Sequence, residues 1–377
     1  MVDRHLGEAA VAILKDLVAI PTHDGIEEAV RYLEGRLKAI GVECQIGGKD
    51  GKPLYLLAEL GQGEPSLIFN GHIDTVPPGR EDEWRHPPFA GHSQDGLLWG
   101  RGAADAKGPL AAQAAAFESL VGQLPKGRLV FMAVGEEERG GLGTQAALAA
   151  GVRAQGALVG EPTDLEVHVA HKGVLRAAIT VRGKAAHASN PQGGANAIMG
   201  MARVLPQLQA LHQEITSRWE DFTGSPSLVV TTIEGGRALN MVPDLCRIAI
   251  DRRLIPGETG AEAWRELEKV VEEERAKGLR ISLEEIRTIP PAYTDPSSPI
   301  AKVLQETITK VLAQPAKVGG FNACSDMSYL NQAGIPTVIF GPGSIQQAHR
   351  LDEFVNLEAV QAAARVYREM ALSWLGR

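Results

Sequence analysis

Apolar side chains recur at three- and four-residue spacing over residues 6–18 and again over Ile26–Leu37, just before Gly41, which predicts two amphipathic helices at the start of the chain. Val42–Ile46 and Leu54–Leu60 read as strands. Leu67–Phe69 is a short apolar strand that runs directly into Asn70-Gly71-His72-Ile73-Asp74. After a loop rich in proline (Pro77, Pro78, Pro87, Pro88), Gly108–Leu120 reads as an alanine-rich helix. Leu129–Val134 is an uninterrupted apolar run ending at Gly135-Glu136-Glu137-Glu138, and Gly156–Val159 is another ending at Gly160-Glu161-Pro162. An apolar strand, then polar or acidic residues, then a helix is the grammar of a mostly parallel sheet that gathers ligands at its strand ends.

From Gly173 onward the grammar changes. Val174–Val181 is a strand of mixed polarity, followed by a helix (Asn196–Leu211), two strands (Ser227–Ile233, Cys246–Arg253) and a charged amphipathic helix (Ala261–Lys277). This order fits a small α+β sandwich inserted into a larger α/β domain. Thr288–Pro299, rich in Pro and Ser, reads as the return linker. Ile300–Leu312, Thr337–Phe340 and Leu357–Leu375 then read as helix, buried strand and terminal helix. The expected boundaries are a catalytic domain over 1–172 and 291–377 and an inserted domain over 173–290. Two domains are also what a chain of 377 residues leads one to expect.

A net charge of −8 argues against a general nucleic-acid surface, which needs clustered Lys and Arg. The charged amphipathic start reads as a helix, not as a signal peptide, and no apolar run is long enough to span a bilayer, so no membrane partner and a cytoplasmic location are expected. Cys44, Cys246 and Cys324 are odd in number and far apart, which argues against a disulfide framework.

The chemistry sits where strands stop. His72 and Asp74 form an H-x-D pair, Asp105 lies in the glycine-bounded loop Gly100–Gly108, Glu136–Glu138 and Glu161 follow apolar strands, and His349 follows a Gly-Pro-Gly turn. Taken singly, each is an ordinary turn or loop feature. Taken together, three carboxylates and two imidazoles suit zinc, cobalt or manganese. If one carboxylate bridges, five ligands serve two ions around a shared water, and a further carboxylate can take that water's proton.

The strings FNGHIDTVPPG, LLWGRGAADAKGPLAA, GEEERGG, GEPTDL and GKAAHASNPQGGANAI resemble the acetylornithine deacetylase and succinyl-diaminopimelate desuccinylase family of zinc aminoacylases and carboxypeptidases, in the family's order and over nearly the whole chain. The resemblance implies a zinc-peptidase-like α/β catalytic domain with an inserted lid or dimerisation domain, and two zinc ions for which cobalt can substitute. It implies that His72 and Glu161 bind one ion and Glu138 and His349 the other, that Asp105 bridges, that Asp74 orients His72 and that Glu137 is the general base. Glu136 stands where the family usually has Asp. His187 matches a histidine that reaches across a homodimer to stabilise the oxyanion. Asn240, Arg253 and Gly343 match substrate-contacting positions, with Arg253 a clamp for the substrate's α-carboxylate. Gly341–Phe354 resembles the ending of acetylornithine deacetylases, whereas Cys324-Ser325-Asp326-Met327-Ser328-Tyr329 looks more like the desuccinylase pattern. The implied substrate is a small N-acyl amino acid, N-acetylornithine first, with succinyl-diaminopimelate or a peptide as the alternative.

Overall fold

The continuous apolar runs form the middle of a nine-stranded sheet, the expected mostly parallel centre of an α/β fold. The computed structural model describes residues 2–376. Ser66–His72 pairs in parallel with Arg128–Val134 on one side and Ala157–Gly160 on the other, and Thr337–Ile339 extends the parallel set beyond Ala157–Gly160. Every residue of Ser66–His72 and of Ala157–Gly160 is buried. That explains why these strands read as unbroken hydrophobic runs with no alternation. The antiparallel strands Lys52–Gly61 and Cys44–Lys49 continue the sheet outward from Arg128–Val134.

Register and two glycines place the site. Gly71 pairs with Gly160, so the next residues along the two strands, His72 and Glu161, emerge side by side. Helix Lys107–Glu118 lies close over this point. A Cβ at Gly71 would come 2.8 Å from Gln113 Oε1, and one at Gly160 would come 2.9 Å from Gln113 Nε2 and 3.1 Å from Pro109. Gln113 uses that proximity to donate to the carbonyls of Asn70 (3.1 Å) and Leu158 (3.3 Å), tying the two strands together from above.

The chain divides into two compact units. One comprises the chain up to Val169, Tyr293–Phe321 and the chain from Ser325 onward; the other comprises Ala170–Ala292 with Asn322–Cys324. The second is a four-stranded antiparallel sheet in the order Ser227–Gly235, Leu245–Leu254, Gly173–Arg182, Ile281–Ile289. Alternation along Gly173–Arg182 sends Leu175, Ala177, Ile179 and Val181 into a core shared with Met201, Val204, Leu208, Leu267 and Val271 of helices Ala197–Ile215 and Gly260–Ala276. Thr259 and Glu262 start the latter helix with a reciprocal capping box.

Two findings depart from the sequence reading. Thr288 and Ile289, expected in a linker, belong to strand Ile281–Ile289, and Ala292–Tyr293 joins the large sheet. Prolines 290 and 291 interrupt the ladder only between them, because proline lacks the amide donor. Three-residue strands (His92–Gln94, Leu97–Trp99, Phe354–Asn356) form a separate small sheet, too short to display a period. Among the described residues, no helix is long and apolar enough to cross a membrane.

Arg252 is almost fully buried in the second unit, at 1% exposure. Its guanidinium bonds Glu258 through Nη2 at 2.7 Å and Nη1 at 3.2 Å, and Glu266 through Nη2 at 3.2 Å. Burial pushes the Glu258 carboxyl upward, but Arg252, the Ile255 amide and Arg218 outweigh this and hold it below its ordinary value. A depressed folded-state pKa adds stability that is complete above the unfolded value near 4.3 and is lost as pH falls through the folded value. Glu258→Gln should therefore lower unfolding free energy at pH 7 by about 2 kcal/mol, below the cost of breaking a fully buried pair because Gln keeps the size of the side chain and one acceptor oxygen for Arg252. Urea melts at stepped pH should show the difference shrinking below about pH 4, where the wild-type carboxyl also protonates. A gap that widens with acid would contradict this assignment.

Candidate metal centre

His72 ends a buried strand, and its Nδ1 lies 2.9 Å from the carbonyl oxygen of Asp74. A carbonyl only accepts, so Nδ1 carries a proton and Nε2 is the nitrogen left to turn toward the carboxylates. Nε2 lies 3.3 Å from Asp105 Oδ1 and 3.9 Å from Glu161 Oε1. The other oxygen of Asp105 lies 3.4 Å from His349 Nε2, which sits 2.9 Å from Glu138 Oε1. The five side chains thus make two sets, His72–Asp105–Glu161 and Asp105–Glu138–His349, with the ligand atoms in each within 4.8 Å of one another. Asp105 alone is common to both.

Asp74 acts differently from a simple partner of His72. Its carboxylate accepts the backbone amides of Glu137 and Glu138, each at 3.2 Å, while its Oδ1 stays 3.7 Å from the imidazole. It therefore fixes the acidic turn. Within that turn Glu136, at a φ of 61°, pairs with Arg139 at 3.3 Å, and Glu138 turns to His349. Burial pushes the Glu137 carboxyl well above its ordinary value. His72 opposes this, while Glu161, Asp326 and Glu138 push it further. Glu161 is raised for the same reason, burial first. Burial lowers the proton affinity of His72, but Asp105 and Asp74, with Glu161 and Glu137, reverse this and hold it well above normal.

The donors present fit two divalent cations. Each set combines one imidazole with two carboxylates, a composition suited to zinc or a neighbouring first-row ion. His72, Asp105 and Glu161 are buried together, and crowded carboxylates in a low-dielectric interior need a compensating positive charge.

Gly343, at a φ of 87°, lies against the same loop, since a Cβ there would approach Ala104 at 3.3 Å. His187, Asn240 and Arg253 belong to the second unit. There the Asn240 carbonyl accepts the Ala188 amide at 2.9 Å, next to His187. The Ser189 amide donates to His187 Nδ1 at 3.2 Å, which leaves the proton on Nε2. Arg253 binds Asp251 Oδ1 at 2.8 Å and lies 3.9 Å from Cys324 Sγ.

Three residues near the centre escaped the sequence reading. Asp326 is buried and accepts Thr144 Oγ1 at 2.7 Å, and burial pushes its carboxyl up to about 6. Lys107 is buried with its Nζ 2.8 Å from the Ile20 carbonyl, and burial lowers its ammonium to about 7. Glu353 is buried against the Asp105 loop. A charge flanked by apolar or small residues, as in Leu351-Asp352-Glu353-Phe354-Val355, was the available signal, and by itself it is weak.

Residues 68–373 match the pattern of Peptidase family M20/M25/M40. An acetylornithine deacetylase from Proteus mirabilis is 30% identical over 366 residues, covering 93% of both chains. Among solved structures, the M20 family metallo-carboxypeptidase Sso-CP2 from Sulfolobus solfataricus superimposes with a TM-score of 0.82 at 18% identity, over 98% of this chain and 99% of that one. A dinuclear metal-binding peptidase of the M20 family from Bacillus subtilis does so with a TM-score of 0.72 at 16% identity, over 98% of each chain.

The sharing of Asp105 makes a stoichiometric prediction. After zinc loading and dialysis, elemental analysis should find about two equivalents in the wild type, about one in Glu161→Ala and close to none in Asp105→Ala. Equal metal content in the two variants would contradict the shared role.

Proposed function

The chain belongs to Peptidase family M20/M25/M40, and we propose that it is a zinc-dependent amidohydrolase that removes an acyl group, acetyl first, from an N-acyl amino acid, with N-acetylornithine as leading substrate. The observation that carries this reading is Asp105 standing between two imidazole–carboxylate sets, with Glu137 beside them. The substrate class follows the relative named acetylornithine deacetylase.

Zinc bound by His72, Asp105 and Glu161 and by Asp105, Glu138 and His349 would supply Lewis acidity and an acidified water. Glu137, raised in proton affinity by burial, takes the proton of the attacking water and returns it to the departing amine. Asp74, by holding the amides of Glu137 and Glu138, keeps base and ligand in one fixed turn. His187, with its proton on Nε2, is the hydrogen-bond donor for the oxyanion. Arg253 binds the substrate's carboxylate, with Asn240 and Gly343 as further contacts. The Cys324–Tyr329 segment, whose cysteine touches Arg253, supports a second reading as a desuccinylase.

A homodimer through the inserted unit is part of the proposal. Its outer strand Ser227–Gly235 has one unpaired edge and exposes Val229 and Ile233, with Leu239 just beyond. A bare apolar edge is a template for a second copy. The reaction and the chain's composition fit a cytoplasmic enzyme.

Zinc- or cobalt-loaded protein should turn over N-acetylornithine faster than succinyl-diaminopimelate or dipeptides in a direct amine-release assay. No turnover of any of them would sink the enzyme reading. Glu137→Gln should keep its metal and lose at least about 100-fold in kcat, the lower end for general acid–base catalysis. Ile233→Lys should sediment as a monomer with kcat reduced to the level of His187→Ala. A fully active monomer would rule out the trans role of His187.

A further inference from the structure

One buried side chain holds the loop that carries Asp105. The Glu353 carboxylate accepts Arg101 Nη1 at 2.6 Å and the Gly102 amide at 3.0 Å on Oε2, and the Ala104 and Asp105 amides at 2.9 and 3.0 Å on Oε1. Its own carbonyl accepts the Gly100 amide at 2.9 Å. Bonds to a charged acceptor are roughly twice as strong as neutral ones, so this is a strong tie between two segments remote in sequence. Glu353 lies four residues past His349, just before Phe354–Asn356, which pairs with Leu97–Trp99 immediately ahead of the loop.

The two halves of the centre are supported unequally. His72 and Glu161 sit at the ends of adjacent parallel strands whose ladder sets their spacing. Glu138 and His349 lie outside any strand, His349 at a φ of 62° with its side chain 52% exposed. In the first set two of three ligands are carried by the sheet. In the second, Asp105 and His349 both belong to segments that Glu353 joins.

We propose that Glu353 is a positioning residue for the Asp105–Glu138–His349 half of the centre, fixing the Asp105 loop against the His349 segment so that the second cation's affinity depends on it far more than the first's. This rests on the two-cation reading above. Both Glu353 oxygens are taken by Arg101 and by main-chain amides of the Asp105 loop, so it acts through that loop. Replacing it by Gln keeps its size but turns one acceptor oxygen into a donor facing N–H groups.

The test is calorimetric titration of metal-free protein with zinc. Wild type should bind in two steps. In Glu353→Gln the first should stay within about threefold of wild type, and the second should weaken by about 10- to 100-fold, the range for groups that orient ligands. Glu353→Asp, which keeps the charge, should fall between. Both steps unchanged, or both weakened equally, would overturn the proposal, because a merely structural role cannot select one step. Wild type binding fewer than two zinc ions would instead sink the two-cation reading, and this inference with it. Should the Gln variant fail to fold, hydrogen exchange on wild type decides. The Gly102, Ala104 and Asp105 amides should be protected before zinc is added, and protection appearing only with zinc would refute the role.

Discussion

Like charges crowded into a protein interior repel, and the arrangement of the metal centre follows from how that repulsion is met. Asp74, Asp105, Glu161, Asp326 and Glu353 are all buried. Two of them are satisfied by main-chain amides: Asp74 takes those of Glu137 and Glu138, and Glu353 takes those of Gly102, Ala104 and Asp105. Asp105, Glu161 and Glu138 face imidazoles and one another. The backbone thus neutralises the carboxylates that organise the loops and leaves the inward-facing ones for cations.

The sheet supplies the rest of the order. Pairing Gly71 with Gly160 fixes the separation of His72 and Glu161, and the absence of side chains at both positions admits helix Lys107–Glu118 close over the strand ends. The helix that follows the Asp105 loop is thereby anchored on the strands that carry the first set of ligands. The same small residues that serve packing therefore define the geometry of the site.

Much of this was legible in the chain. Fully buried parallel strands must be continuously apolar, so Leu67–Phe69, Leu129–Val134 and Thr337–Phe340 announced themselves, and polar residues where such runs stop were the natural place for ligands. Three-residue strands carry no period, which hid the small sheet built on Phe354–Asn356. Nor could sequence tell that Arg252 would be buried while its neighbour Arg253 binds Asp251, because alternation names two faces without saying which charge has found partners. Asp74 was read as the residue that orients His72, and its carbonyl does accept from His72 Nδ1. Its carboxylate also reaches the Glu137 and Glu138 amides, a contact across 63 residues of chain that no local pattern encodes.

The separation between Asp105 and Glu353, 248 residues, also bears on how the protein is made. Synthesis proceeds from the N-terminus at about 5–20 residues per second, and domains fold as they emerge. The strands bearing His72 and Glu161 are complete long before the segment with His349 and Glu353 leaves the ribosome. Throughout that interval the Asp105 loop lacks its carboxylate anchor. The nascent chain therefore offers passing metal ions only a partial set of ligands until the segment carrying His349 and Glu353 has been made.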